Sequence, residues 1–160
     1  MRHINERGIE IIKDFEGFSL KPYLCPAKVW TVGYGSTTGS DGGPVDPDME
    51  PVTEADADAL LGRDLETSER WVSRLSKEPL SENQFSALTS FTFNVGCGAL
   101  QRSTLRMKLN RGEYLGAADE FPKWRIEQGA EYWLDWLDAG QRNGRYFWLK
   151  FGVEYERGHR

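Results

Sequence analysis

Apolar residues recur at helical spacing along most of this chain and change period in one short stretch near its start. Ile9, Ile12 and Phe15 fall on one face of a segment over 5–16, with Asn5 placed to cap its start and Gly17 to end it. The next stretch reads Phe18-Ser19-Leu20-Lys21-Pro22-Tyr23-Leu24-Cys25, then a turn, then Val29-Trp30-Thr31-Val32-Gly33-Tyr34-Gly35. Aromatic and β-branched residues between glycine and proline breaks predict a small β-hairpin sheet over 18–37. Gly39, Gly42, Gly43, Pro44, Pro47 and Pro51 then make 36–52 a loop on any reading.

Beyond the loop the pattern is helical. Thr53-Glu54-Ala55-Asp56 is a capping-box-like start, followed by Leu61, Leu65, Val72 and Leu75 on one face. Ser81-Glu82-Asn83-Gln84 is a second capping box and opens a helix carrying Phe85, Leu88, Thr92 and Val95, which Gly96 and Gly98 stop. Further helices are expected over 102–110, 113–128, 131–138 and 141–150, with Pro122 bending or shortening the second of these. The expected fold class is α+β: an N-terminal helix, a small antiparallel sheet and a helical bundle, with a cleft where sheet meets bundle. Residues 1–160 are read as a single domain, its sheet part over about 18–52 and its helical part over about 53–155.

Composition narrows the chemistry. At 160 residues, 39% hydrophobic and 12% aromatic, the chain suffices for one packed core without disulfide or metal staples. A net charge of −5 supplies no overall positive field, so neither nucleic acid nor an anionic lipid surface is an expected partner. No stretch has the length and apolarity of a transmembrane helix, and the start, Met1-Arg2-His3-Ile4-Asn5-Glu6, lacks the apolar run of a signal peptide. A cytosolic place of synthesis is therefore expected. The only histidines, His3 and His159, sit near the ends, which argues against Ser–His or Cys–His catalysis and against a His-ligated metal. Cys25 and Cys97 are too few for a zinc ribbon, so no cofactor or metal is expected. Carboxylates remain as the carriers of acid–base chemistry.

Glu16, in Asp14-Phe15-Glu16-Gly17, ends the first helix beside its apolar face. A partly desolvated carboxyl there has a raised pKa and stays protonated as a general acid. Eight residues separate Glu16 from Cys25 and five separate Cys25 from Thr31, inside Trp30-Thr31-Val32-Gly33-Tyr34-Gly35. This arrangement resembles the phage-type lysozymes, the endolysins of the T4-lysozyme superfamily, whose pattern runs Glu, eight residues, Asp or Cys, five residues, Thr. The likeness continues through Leu80 to Gly96, through Ser103-Thr104-Leu105 with Leu109-Asn110 and Gly112, and through Ala117-Ala118 with Phe121 and Trp124.

The resemblance implies a lysozyme-like fold and cleavage of the β-1,4 bond between N-acetylmuramic acid and N-acetylglucosamine in peptidoglycan. Glu16 would protonate the leaving oxygen, Cys25 would orient or activate water or stabilise charge at the anomeric carbon, and Thr31 would help hold that water. Separation of the two groups would decide inversion or retention. Substrate contacts are implied for Phe93, Ser103 and Arg142, with Arg142 the match for an arginine that pairs with the catalytic glutamate. A thiol at position 25 carries less negative charge near neutral pH than a carboxylate. Ser36 stands where the family commonly has His, and the acidic loop over 38–51 is a candidate lid. Gly140-Gln141-Arg142-Asn143-Gly144-Arg145 departs in spacing from the family's C-terminal motif. Trp133, Trp136 and Trp148 read more readily as core than as sugar platforms.

The expected protein is a monomeric endolysin that waits in the host bacterial cytoplasm and reaches the wall through a holin-made lesion. Arg102, Arg106, Lys108 and Arg111 form a basic stretch that serves either as a wall-facing patch or as an ordinary solvated face. The alternative is a lysozyme-like binding or localisation module with weak or no hydrolysis.

Overall fold

The computed structural model of the chain describes residues 1–121, in the order α1 (Glu6–Glu16), β1 (Ser19–Leu24), β2 (Trp30–Gly33), α2 (Glu54–Leu75), α3 (Glu82–Val95), α4 (Cys97–Arg102), α5 (Thr104–Leu109) and α6 (Tyr114–Ala118). The helices expected over 131–138 and 141–150, the later part of 113–128, Arg142 and the three late tryptophans lie outside the described residues. Packing divides the chain into two compact units, Ile9–Thr67 and the remainder, with the boundaries falling inside α1 and α2.

In the Ile9–Thr67 unit the local signals act as read. Gly17 N closes α1 on the Lys13 carbonyl at 2.9 Å, while the cap at the helix start, Asn5 accepting from Gly8 N at 2.9 Å, belongs to the other unit. β1 and β2 pair antiparallel, Tyr23 opposite Thr31 and Leu24 opposite Trp30, with a register irregularity between Ser19 and Tyr23 where Pro22 cannot donate to the ladder. The hairpin turn is closed by Lys28 N on the Cys25 carbonyl at 2.7 Å. Gly33 packs against α2: a Cβ on it would stand 3.1 Å from that of Ala57, itself fully buried, so the strand approaches the helix more closely than any side chain at 33 allows. Thr53 and Asp56 exchange side-chain and backbone bonds at 3.1 Å, the capping box that starts α2.

The loop over 38–51 is anchored rather than a free lid. Arg63 donates to the carbonyls of Thr38 and Gly39, Thr38 bridges Pro44, and Val45 and Val52 are buried. Val52 N also donates to the Leu20 carbonyl at 2.9 Å, tying the loop's end to β1. A groove of about 440 Å³ lies between this loop and α2, lined by residues that include Met49, Val52, Leu60 and Arg63 and by none of Glu16, Cys25 or Thr31.

The other unit is built on α3. Ser81 caps it reciprocally with Gln84, and its buried face carries Phe85, Leu88 and Phe91, the last set edge-on to Phe121 with ring centres 5.2 Å apart. Two expectations change here. The helix expected over 102–110 begins later, as α5 at Thr104, because the Ser103 hydroxyl accepts from Arg106 N, and a further short helix, α4, precedes it. Gly96 ends α3, but Gly98 lies inside α4 and stops nothing. The N-terminus is held by buried Glu69, which accepts from Ile4 N at 2.7 Å and pairs with His3.

Candidate active site

Glu16 occupies the last position of α1. The residue as a whole is exposed at the helix end, but its carboxyl tip is turned in. Oε2 lies 3.1 Å from the point where a Cβ on Gly35 would stand, so Gly35, at a φ of +86°, brings bare backbone against the carboxyl. Loss of water around that tip raises the Glu16 pKa above the ordinary carboxylate value. A side chain at 35 would both strain the backbone and push the carboxyl away.

Cys25 ends β1 at the hairpin turn, half-buried and with a free thiol. Its pKa is lowered chiefly by hydrogen bonding from the Val29 backbone, which outweighs the opposing effect of burial, with a smaller lowering from the Thr31 hydroxyl. Thr31, 3% exposed on β2, also donates to the Val29 carbonyl at 2.9 Å. The hairpin thus brings Cys25 and Thr31 into contact, and the turn after β2 brings Gly35 to Glu16. All four residues lie within Ile9–Thr67.

Ser36 is fully buried and donates to Asp64 Oδ2 at 2.7 Å, while Asp64 Oδ1 accepts from Arg63 at 3.0 Å. Its hydroxyl therefore fastens the Gly35 turn to α2, where the loss of a titratable group was the expectation. Phe93 and Ser103 lie in the other unit. Phe93 is half-buried in α3, and the Ser103 hydroxyl donates to Leu100 O at 2.7 Å and accepts from Arg106 N at 3.0 Å, which occupies it in capping. The basic stretch after α3 is largely engaged locally: Lys108 with Glu120, Arg111 with Glu113, and Arg106 with the Gln101 carbonyl. Among the described residues no three His, Cys, Asp or Glu side chains gather as a metal site, and no helix is long and apolar enough to cross a membrane.

The family model of phage lysozyme matches residues 13–135, which takes in α1 from Lys13 onward and every element after it. The chain belongs to the phage lysozyme family. Among its phage lysozyme relatives is the endolysin of Acyrthosiphon pisum secondary endosymbiont phage 1, 42% identical over 122 residues, covering 76% of this chain and 80% of that one. The endolysin of Bacillus phage B103 is 40% identical over 132 residues, and there the chain spans only 48% of its relative's length. Among solved structures, a mutant of phage P22 lysozyme superposes with a TM-score of 0.78 at 32% identity, over 93% of this chain and 99% of that one. Mixed helices with a small two-stranded antiparallel sheet are thus the phage lysozyme fold.

Gly35, Asp64 and Arg63 are residues around the candidate site that sequence reading did not single out. Gly35 sits inside the resemblance motif, where it reads as a turn glycine; its contact with Glu16 exists only after folding.

Proposed function

We propose that this endolysin hydrolyses the β-1,4 bond between N-acetylmuramic acid and N-acetylglucosamine in peptidoglycan, with Glu16 as general acid, for lysis of the host cell. The observation that carries the reading is the Glu16 carboxyl turned onto the Gly35 backbone, where desolvation raises its pKa. A protonated Glu16 gives its proton to the glycosidic oxygen as the bond to the anomeric carbon breaks, and a water oxygen adds to that carbon while its surplus proton leaves to solvent, from which Glu16 is reprotonated. Cys25 orients that water and stabilises developing positive charge. The hydrogen bonds to its sulfur favour the thiolate, which offsets part of the disadvantage of a thiol against a carboxylate. Thr31 helps hold that water by its hydroxyl, and Phe93, Ser103 and Arg142 belong to the wider substrate-contact reading.

Water, rather than an internal sugar hydroxyl, is the acceptor in this proposal. Digests of purified peptidoglycan, reduced with borohydride and analysed by mass spectrometry, should yield muropeptides ending in reduced N-acetylmuramic acid. Anhydro ends as the main product would replace hydrolysis by transglycosylation. Passage from the host cytoplasm to the wall through a holin-made lesion completes the proposal, and expression with and without a co-expressed holin tests it.

Substitutions at Cys25 weigh its share. Cys25→Asp should keep or raise the lytic rate, because a carboxylate serves the same charge role. Cys25→Ala should lower it by roughly 10-fold or more. Equal rates for Cys25→Ala and the parent in a turbidity assay would reduce Cys25 to a packing residue.

A further inference from the structure

Lys13 and Glu16 lie one turn apart on α1, a spacing at which side chains on a helix meet. A free ammonium at Lys13 would stand beside the Glu16 carboxyl and favour its ionised form, against the protonated state an acid needs. The fold directs that charge elsewhere. Lys13 Nζ pairs with Asp58 Oδ1 on α2 and lies 5.2 Å from the centre of the Tyr34 ring, while Glu16 sits against the next residue, Gly35. The two α1 side chains therefore flank one short segment, and Asp58 decides on which side of it the ammonium stays.

We propose that Asp58 is a positioning residue that holds the Lys13 ammonium away from Glu16 and so keeps the Glu16 carboxyl protonated, an inference that rests on the acid role proposed above. Among the described residues, the titratable groups that act on Lys13 are Tyr34 after β2 and Glu54 and Asp58 on α2, and none of them acts on Glu16. Lys13 holds its proton more tightly than usual, chiefly through its hydrogen bond to Asp58, with smaller contributions from Tyr34 and Glu54. Tyr34 is raised mainly by burial, and it too interacts with Glu54. The cause acting on Glu16 is desolvation, which matches an ammonium that is engaged by another partner.

Asp58 is 46% exposed at its side chain, so its truncation leaves the core in place. The test follows the Glu16 carboxyl by ¹³C NMR titration, together with the pH profile of kcat/KM for lysis. Asp58→Ala should lower the Glu16 pKa by roughly 0.5–1 unit and move the alkaline limb of the profile down with it. Lys13→Met combined with Asp58→Ala should return both towards their starting values, which a merely structural role of Asp58 would not do. A Glu16 pKa unmoved by Asp58→Ala, or a shift that persists in the double variant, overturns the positioning role alone. A Glu16 pKa that falls while the alkaline limb stays in place overturns the acid role, and the positioning role with it.

Discussion

Replacing Glu16 by glutamine lowers lysis by roughly 10²–10⁴-fold while the fold persists. In barrier terms this is about 3–5 kcal/mol, the contribution of one positioned proton donor. Glutamine keeps the shape of the side chain and its place at the end of α1, but it has no proton to give to a leaving oxygen. The helix stop is a backbone bond from Gly17 to Lys13 and does not need the carboxyl. Stability should change in a definite direction. The folded-state pKa of Glu16 is raised, so the native state binds more protons than the unfolded chain, and its stability contribution is lost as pH rises through the folded pKa. Glu16→Gln removes that loss, and the variant should melt no lower than the parent at neutral pH. Turbidity of outer-membrane-permeabilised Gram-negative cells, beside a circular-dichroism melt, reads both effects. Lysis within a few-fold of the parent would remove Glu16 from the chemistry.

Phe91→Ala should cost about 3–5 kcal/mol of folding free energy, the largest stability loss expected of any single truncation considered. Phe91 is fully buried in α3 and meets the Phe121 ring edge-on, at 87° between planes. Truncation removes both the transferred apolar area and the edge-to-face contact, and leaves a cavity between rings that cannot collapse without moving α3. Against a total of about 5–15 kcal/mol for a domain, that is about a fifth of the stability or more. The midpoint of thermal unfolding should fall by roughly 6–20 °C. Chemical denaturation gives the free energy directly, and a loss under about 1 kcal/mol would mean that α3 does not carry the core of its unit.

The contrast between these two residues marks what each level of organisation contributes. Phe91 follows Phe85 and Leu88 at helical spacing on α3, a helix whose apolar residues are legible in the sequence, although the face read there carried Thr92 and Val95 and not Phe91. Glu16 differs. Periodicity places it at a helix end, where most glutamates are solvated, and only its company with Cys25 and Thr31 marks it as chemistry. Even then the reason for its raised pKa was invisible, because Gly35 is nineteen residues away in sequence and meets the carboxyl only through the turn after β2.

By itself, the sequence determined the caps, breaks and faces of the elements. Asn5, Thr53 and Ser81 start helices by local hydrogen bonds, Gly17 and Gly96 end them, and the β-branched run around Thr31 pairs as a hairpin. These choices are made within a few residues, so a few residues suffice to read them. It also nominated Glu16, Cys25 and Thr31 as the candidate site, since they stand at recognisable spacings. Tertiary structure alone decided what those groups are worth. Ser36 became a buried clasp on Asp64, the 38–51 loop was pinned by Arg63, and Ser103 separated α5 from a short preceding helix, α4. Lys13 was turned to Asp58 and Tyr34, and Thr31 was set against the Cys25 sulfur. Each of these depends on a partner brought near by packing, and the pKa of a group is set by the water and charge that packing leaves around it.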